Sequence, residues 1–152
     1  MVIHISSIYK NKVKIEISFD CSSVNWTIIS ETLKQVGMAY YSPDIHQKAF
    51  EASHTTVFVR HDDTLIGFGR AISDGVYQAA VYDVAVVPEY QRKGIGSIIM
   101  ESILSRLSHC NIILYASPGK EEFYETLKFR KMKTGMALFK SSEAMAARGF
   151  TE

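Results

Sequence analysis

Cysteine is scarce: two residues, Cys21 and Cys110, in a chain of 152. Two thiols cannot build a disulfide framework, and neither stands at metal-ligand spacing from another cysteine or a histidine. Both lie beside apolar segments, so each reads as a small buried hydrophobe. The five histidines, His4, His46, His54, His61 and His109, show no metal spacing either, and no metal site is expected. No apolar run approaches ~18 residues, and no basic start precedes an apolar stretch at the N-terminus. No membrane partner is therefore expected, and a cytoplasmic location follows by default. Charge of one sign is lacking too. A formal net charge of +1 provides no global field to steer the protein onto nucleic acid or an acidic bilayer. A nucleic-acid role would need a local basic patch, and only Arg92 and Lys93 offer one.

What is present is ordinary for a globular protein: 47% hydrophobic and 22% charged residues, with three prolines and no low-complexity linker. The length suits a single domain over residues 1–152 with a real core. Val13 to Phe19 alternates apolar and polar residues as a half-buried strand does. Ser22 or Ser23 then caps a helix with Trp26, Ile29, Leu33 and Val36 at helical spacing, ending near Gly37. A short helix follows from Asp44 to about Ala52. Thr55 to Arg60 and Leu65 to Ile72 read as strands joined at the turn-like His61-Asp62-Asp63. Asp74-Gly75 signals a second hairpin turn, and Val76 to Val87 is the next strand. A long helix runs from about Lys93 to Leu107, with Ile95, Ile99, Ile103 and Leu107 on one stripe. Asn111 to Ala116 reads as a buried strand, Pro118-Gly119 opens a helix through Leu127, and Phe129 to Lys140 holds the last strand or strands. Ser141 to Glu152 reads either as a tail or as a final short helix. Three strands in series followed by strand-helix-strand imply a mixed α/β (α+β) sheet with helices on its faces.

The informative stretch is Val84 to Gly96: an apolar strand, a Pro88-Glu89-Tyr90 break, then a helix start carrying Gly94 and Gly96. A helix N-terminus offers unpaired N–H groups and about half a positive charge. Glycines let a phosphate approach those groups, and Arg92 and Lys93 add full charges. The stretch reads as a pyrophosphate cradle. It matches neither the P-loop nor the dinucleotide-binding glycine pattern.

Gln91-Arg92-Lys93-Gly94-Ile95-Gly96 resembles the Gln/Arg-x-x-Gly-x-Gly/Ala signature of the GNAT superfamily of N-acetyltransferases. A second landmark, Phe-Tyr-x-x-x-Gly-Phe, is resembled by Phe123 to Phe129, and the element order agrees from Val13 to Phe139. The resemblance implies a mostly antiparallel sheet of roughly six to seven strands with about four helices, and acetyl-CoA as co-substrate. The backbone of Val84, Ala85 and Val86 would bond the pantetheine arm and acetyl carbonyl where neighbouring strands splay. Arg92, Lys93, Gly94, Ile95, Gly96 and Ser97 would hold the pyrophosphate, and Gln91, which opens the signature, would join the cofactor site. Tyr124 would protonate the departing thiolate: a phenol of pKa ~10 can donate to a thiolate whose conjugate acid is ~8.5.

Three positions depart from the pattern. Where relatives often place a glutamate base, after the long helix, this chain has Ile112 or a neighbouring apolar residue. Asp83 is then the nearest carboxylate, as a base or as a binder of the substrate ammonium; a hydrogen-bonded strand-end aspartate is the other reading, and a water relay is the other base. Lys128 replaces the glycine of the second landmark, placing a side chain where a left-handed backbone is expected. Ser117 stands where relatives carry an asparagine that contacts coenzyme A. On the acceptor side, Tyr40 and Tyr41 lie in a loop that borders the acceptor pocket in this superfamily, with Phe68, Arg70 and Tyr77 on nearby strands; such aromatics suit an amine with an apolar body. The expected reaction is direct attack of a primary amine, most simply a small-molecule amine, on acetyl-CoA. Protein lysine or N-terminal acetylation, and a non-catalytic acyl-CoA-binding module, are the alternatives. A homodimer through the last strands is a further expectation of the resemblance.

Overall fold

The computed structural model describes residues 3–5 and 14–152. The chain divides into two compact units, Met1–Leu114 and Tyr115–Glu152. The first holds β1 (Ile3–Ile5), β2 (Ile15–Ser18), α1 (Trp26–Gln35), α2 (Pro43–Glu51), β3 (Thr55–His61), β4 (Thr64–Ser73), β5 (Gln78–Val86), α3 (Ile95–Arg106) and β6 (Asn111–Ile113). Among the described residues its six strands form one sheet in sequence order. Every neighbouring pair is antiparallel except β5 and β6, which run parallel and are joined through α3. This is the mixed, mostly antiparallel α/β architecture expected from the sequence.

Strand period places one set of side chains on each face. Phe58, Phe68 and Ala85 stand side by side on β3, β4 and β5, and they share a buried cluster with Ile29 and Leu33 of α1 and Phe50 of α2. The Phe50 ring meets Phe58 at 5.7 Å and Phe68 at 6.1 Å, centroid to centroid. On the opposite face lie Gly67 and Gly69, over which α3 packs its buried stripe of Ile95, Ile99, Met100 and Ile103. A Cβ on Gly69 would fall 2.8 Å from Cγ2 of Ile99. The glycine is what permits so close an approach of helix to sheet.

Several boundaries differ from the sequence reading. The cap of α1 is Asn25, whose Oδ1 accepts from the Thr27 N–H at 3.1 Å; Ser22 instead gives its N–H to Asp20 at 3.1 Å. The strand expected from Val13 is Ile15–Ser18, Val13 itself lying outside the described residues. The strand expected from Val76 begins at Gln78, because Asp74 Oδ1 accepts from the N–H groups of Val76, Tyr77 and Gln78 at 2.8, 2.9 and 3.1 Å. That turn keeps Val76 and Tyr77 out of the ladder. β6 is three residues long and its Ile113 is 52% exposed, so it is an edge strand and not the buried strand expected. Cys21 and Cys110 are free and half-buried, where full burial was expected.

The second unit contains α4 (Glu121–Thr126) and α5 (Ser142–Ala147), which makes the chain end a helix. No strand forms between Phe129 and Lys140, against expectation: residues 131–138 are all exposed, Met136 and Leu138 at 99%. A segment with strand-favouring residues makes a strand only where a ladder partner exists. The Tyr115 ring meets Phe139 at 5.5 Å and Phe150 at 5.9 Å.

Candidate active site

The parallel ladder between β5 and β6 ends at Ala80 opposite Ile113. From Val81 to Val86 no strand among the described residues pairs with the outer edge of β5. Unpaired strand edges carry N–H and C=O groups ready for an extended ligand. Beside this edge, Phe68 faces Ala85 and Arg70 faces Tyr82, so Asp83 and Val84 stand against Gly69 alone. This is a bulge, a device that re-aims side chains next to sites. Asp83 takes φ +55° there, a conformation that aspartate tolerates better than most residues.

At the end of β5, Pro88–Tyr90 make one 3-10 turn, and α3 begins at Ile95 after Gly94 at φ +83° and Arg92 at φ +59°. The first intrahelical bond recorded for α3 runs from the Ile98 N–H to the Gly94 carbonyl, 3.1 Å. The N–H groups of Ile95, Gly96 and Ser97 precede it, and no side chain caps the helix. They are the free donors of a helix start. Gln91 donates Nε2–H to the Val86 carbonyl at 3.1 Å, tying the loop back to β5. Lys93 lies over the Tyr90 ring at 5.2 Å, and the Tyr90 hydroxyl bonds His61 Nδ1 at 2.6 Å. An open strand edge, a tight turn, an uncapped helix start and two exposed cations thus follow one another from β5 to α3.

Asp83 is not a free carboxylate. Arg70 donates Nε–H to its Oδ2 at 2.6 Å, with both side chains mostly buried. The same guanidinium donates to Ser53 Oγ at 3.2 Å and lies over the rings of Phe50 and Tyr82 at 5.7 and 5.4 Å. Tyr40 and Tyr41 are 49% and 59% exposed in the loop joining α1 and α2. Phe68 is fully buried in the core and lines nothing, and Tyr77 lies before β5 and not on a strand. Ile112 does occupy β6 where a glutamate was sought. Among the described residues no three His, Cys, Asp or Glu side chains are arranged to hold a metal, and no helix is long and apolar enough to cross a membrane.

In the second unit Tyr124 sits on α4, half-buried, its ring 5.0 Å from Phe123 and 6.1 Å from Phe129. Burial pushes its phenol above the ordinary value of 10.0. Ser117 is half-buried in the turn before α4, where its carbonyl accepts from the Lys120 N–H at 2.9 Å.

Residues 27–137 match the family model of the acetyltransferase (GNAT) domain. The chain belongs to that family. Among curated relatives, an uncharacterized N-acetyltransferase of Porphyra purpurea is 29% identical over 76% of this chain and 64% of its own. The chloroplastic serotonin N-acetyltransferase 2 of Oryza sativa subsp. japonica is 38% identical over 51% of this chain and 42% of its own. The chain spans about 57–64% of the length of the Porphyra purpurea relative and of two similar uncharacterized N-acetyltransferases, from Gracilaria tenuistipitata var. liui and Pyropia yezoensis. A probable acetyltransferase from meticillin-resistant Staphylococcus aureus has the same fold, with a TM-score of 0.73 at 24% identity over 82% of this chain and 98% of that one.

Within the GNAT fold, Lys128 departs from the pattern without changing the backbone. It takes φ +73°, and two bonds close the end of α4: Lys128 N–H to the Glu125 carbonyl at 3.0 Å and Phe129 N–H to the Tyr124 carbonyl at 3.1 Å. That is a Schellman ending with lysine where glycine is usual. Two side chains that shape the site were not read from the sequence. Arg70 was placed near the acceptor but not on Asp83; counting back from the Asp74-Gly75 turn would have set it across from Tyr82. His46 was assigned no role, and its short-range partner, Tyr41, gives no compositional signal.

Proposed function

We propose that this GNAT acetyltransferase moves the acetyl group of acetyl-CoA onto a primary amine by direct attack in a ternary complex, with a small amine as acceptor. The open edge of β5 beside the uncapped start of α3 carries this reading. Pantetheine would add along Val84 to Val86 as an extra strand, and the pyrophosphate would meet the N–H groups from Gly94 to Ser97, with Arg92 and Lys93 flanking. Ser117 would supply a hydroxyl to coenzyme A. Asp83, its Oδ2 held by Arg70, would hold the substrate ammonium through Oδ1 before a water relay takes the proton. The free amine then attacks the acetyl carbon, the C–S bond breaks, and Tyr124 passes its proton to the thiolate. Its raised pKa suits that task, since the acid form persists throughout neutral pH.

The exposed Tyr40 and Tyr41 support an acceptor with an apolar or aromatic body. Thiol release from acetyl-CoA with a panel of amines tests the proposal. Turnover with an arylalkylamine is expected, and Tyr124→Phe should lower kcat by roughly 10²-fold. Binding of acetyl-CoA without turnover by any amine would instead identify an acyl-CoA-binding module.

A further inference from the structure

The loop between α1 and α2 is held at one residue from both sides. α1 closes on Gly37 at φ +76°, with the Met38 N–H bonded to the Leu33 carbonyl at 2.9 Å. α2 begins at Pro43. Between these ends, Ser30 of α1 donates its hydroxyl to the Tyr41 carbonyl at 2.5 Å, and the Tyr41 N–H donates to Nε2 of His46 on α2 at 2.9 Å. Backbone groups in an exposed loop normally bond to water. Here both polar groups of a single peptide residue are taken by side chains, one from each flanking helix. The rings it positions point outward, and Lys34 lies over the Tyr40 ring at 5.5 Å.

His46 is 3% exposed. Because Nε2 accepts the Tyr41 N–H, its neutral ring carries the proton on Nδ1. The charged groups near it come from the sheet: Asp83 on β5, which favours its protonation, and Arg70 on β4, which opposes it. On α2 itself Asp44 and Lys48 are exposed and paired with each other at 3.7 Å, and α1 contributes Lys34. Burial is the largest influence and holds the imidazole below its ordinary value.

We propose that His46 and Ser30 are positioning residues that latch the Tyr40–Tyr41 ledge in place for the acceptor, and that the latch opens when His46 is protonated. This rests on the acetyl-transfer reading above, whose acceptor border it makes rigid. A neutral His46 accepts the Tyr41 N–H. An imidazolium has no lone pair to offer, so that bond is lost and the ledge keeps only the Ser30 contact. Since His46 is held neutral below the usual histidine range, the latch is closed at neutral pH and releases on acidification below about 6.5.

The test is amide hydrogen exchange at Tyr41, followed by NMR on the full chain from pH 5 to 8, with β3 and β4 amides as the internal check of folding. At pH 7.5 the Tyr41 amide should exchange at least about tenfold more slowly than in His46→Phe, and this protection should fade as the His46 ring titrates. Ser30→Ala, at a half-buried site, should lower the protection without removing its pH dependence. Exchange at Tyr41 that is equal in both proteins, or independent of His46 titration, would overturn the latch. In the thiol-release assay His46→Phe should raise the acceptor KM about tenfold and leave the acetyl-CoA KM unchanged; equal changes in both constants would overturn the acceptor role. If the unaltered protein releases no thiol with any amine, the acetyl-transfer reading falls and the acceptor role with it, while the exchange data still decide the latch.

Discussion

Lys128 shows how much one residue can tolerate when its neighbours insist. The Schellman bonds at the end of α4 require a left-handed residue, and a side chain there costs about 1–2 kcal/mol. Lys128→Gly would remove that strain, against a larger unfolded-state entropy of about 0.5–1 kcal/mol. A net gain of about 0.5–1 kcal/mol is expected, read as a Tm higher by about 2 °C. A fall in Tm would show that the lysine has a stabilising partner. Tyr124, four residues earlier, is governed by burial. Its acid form is the active one in the proposed transfer, and its pKa is raised. The alkaline loss of kcat should therefore come only as pH rises past about 10, and that limb should vanish in Tyr124→Phe.

Among the elements, the contact of α3 with β4 decides the shape of the bulge. A methyl on Gly69 would lie 2.8 Å from Ile99 Cγ2 and 3.1 Å from Val84 Cγ2. Gly69→Ala must push α3 away or displace Val84, and overpacking of this kind costs about 1–3 kcal/mol. The urea midpoint should fall accordingly. Because Val84 belongs to the proposed pantetheine edge, the acetyl-CoA KM should rise as well. The same elements show what a sequence displays and what it conceals. Val84 to Gly96 was legible because strand, break and helix start follow one another within thirteen residues, and each is specified by its own local chemistry. The Arg70–Asp83 ion pair was not, because it depends on the register of a bulged hairpin. β1, three residues long, is too short for periodicity to register. The stretch from Phe129 to Lys140 misled in the other direction. It was read as the last strand or strands, yet strand formation depends on a ladder partner that the segment itself does not contain.

At the scale of the whole molecule, that stretch is the one most open to attack among the described residues. Residues 131–138 are exposed and form no regular structure, and Arg130, Lys131 and Lys133 offer trypsin sites within it. Exposed backbone without a ladder is the first place a folded chain is cut. The sheet unit is protected by contrast: its described strands are hydrogen-bonded into one six-stranded sheet, and the core residues of β3 and β4 are covered. Brief trypsin treatment should therefore cleave first between Arg130 and Lys133, before any cut in β3 to β5. Downstream of the cut, Phe139 and Phe150 meet the ring of Tyr115, so these aromatic contacts anchor α5 within its own unit. Tyr115→Ala removes the ring that both phenylalanines share and should speed cleavage of the stretch several-fold without changing the far-ultraviolet signature of the sheet. Mass spectrometry of the earliest fragments decides the matter: first cuts inside β3 to β5 would mean that this stretch is protected by something its exposure does not show.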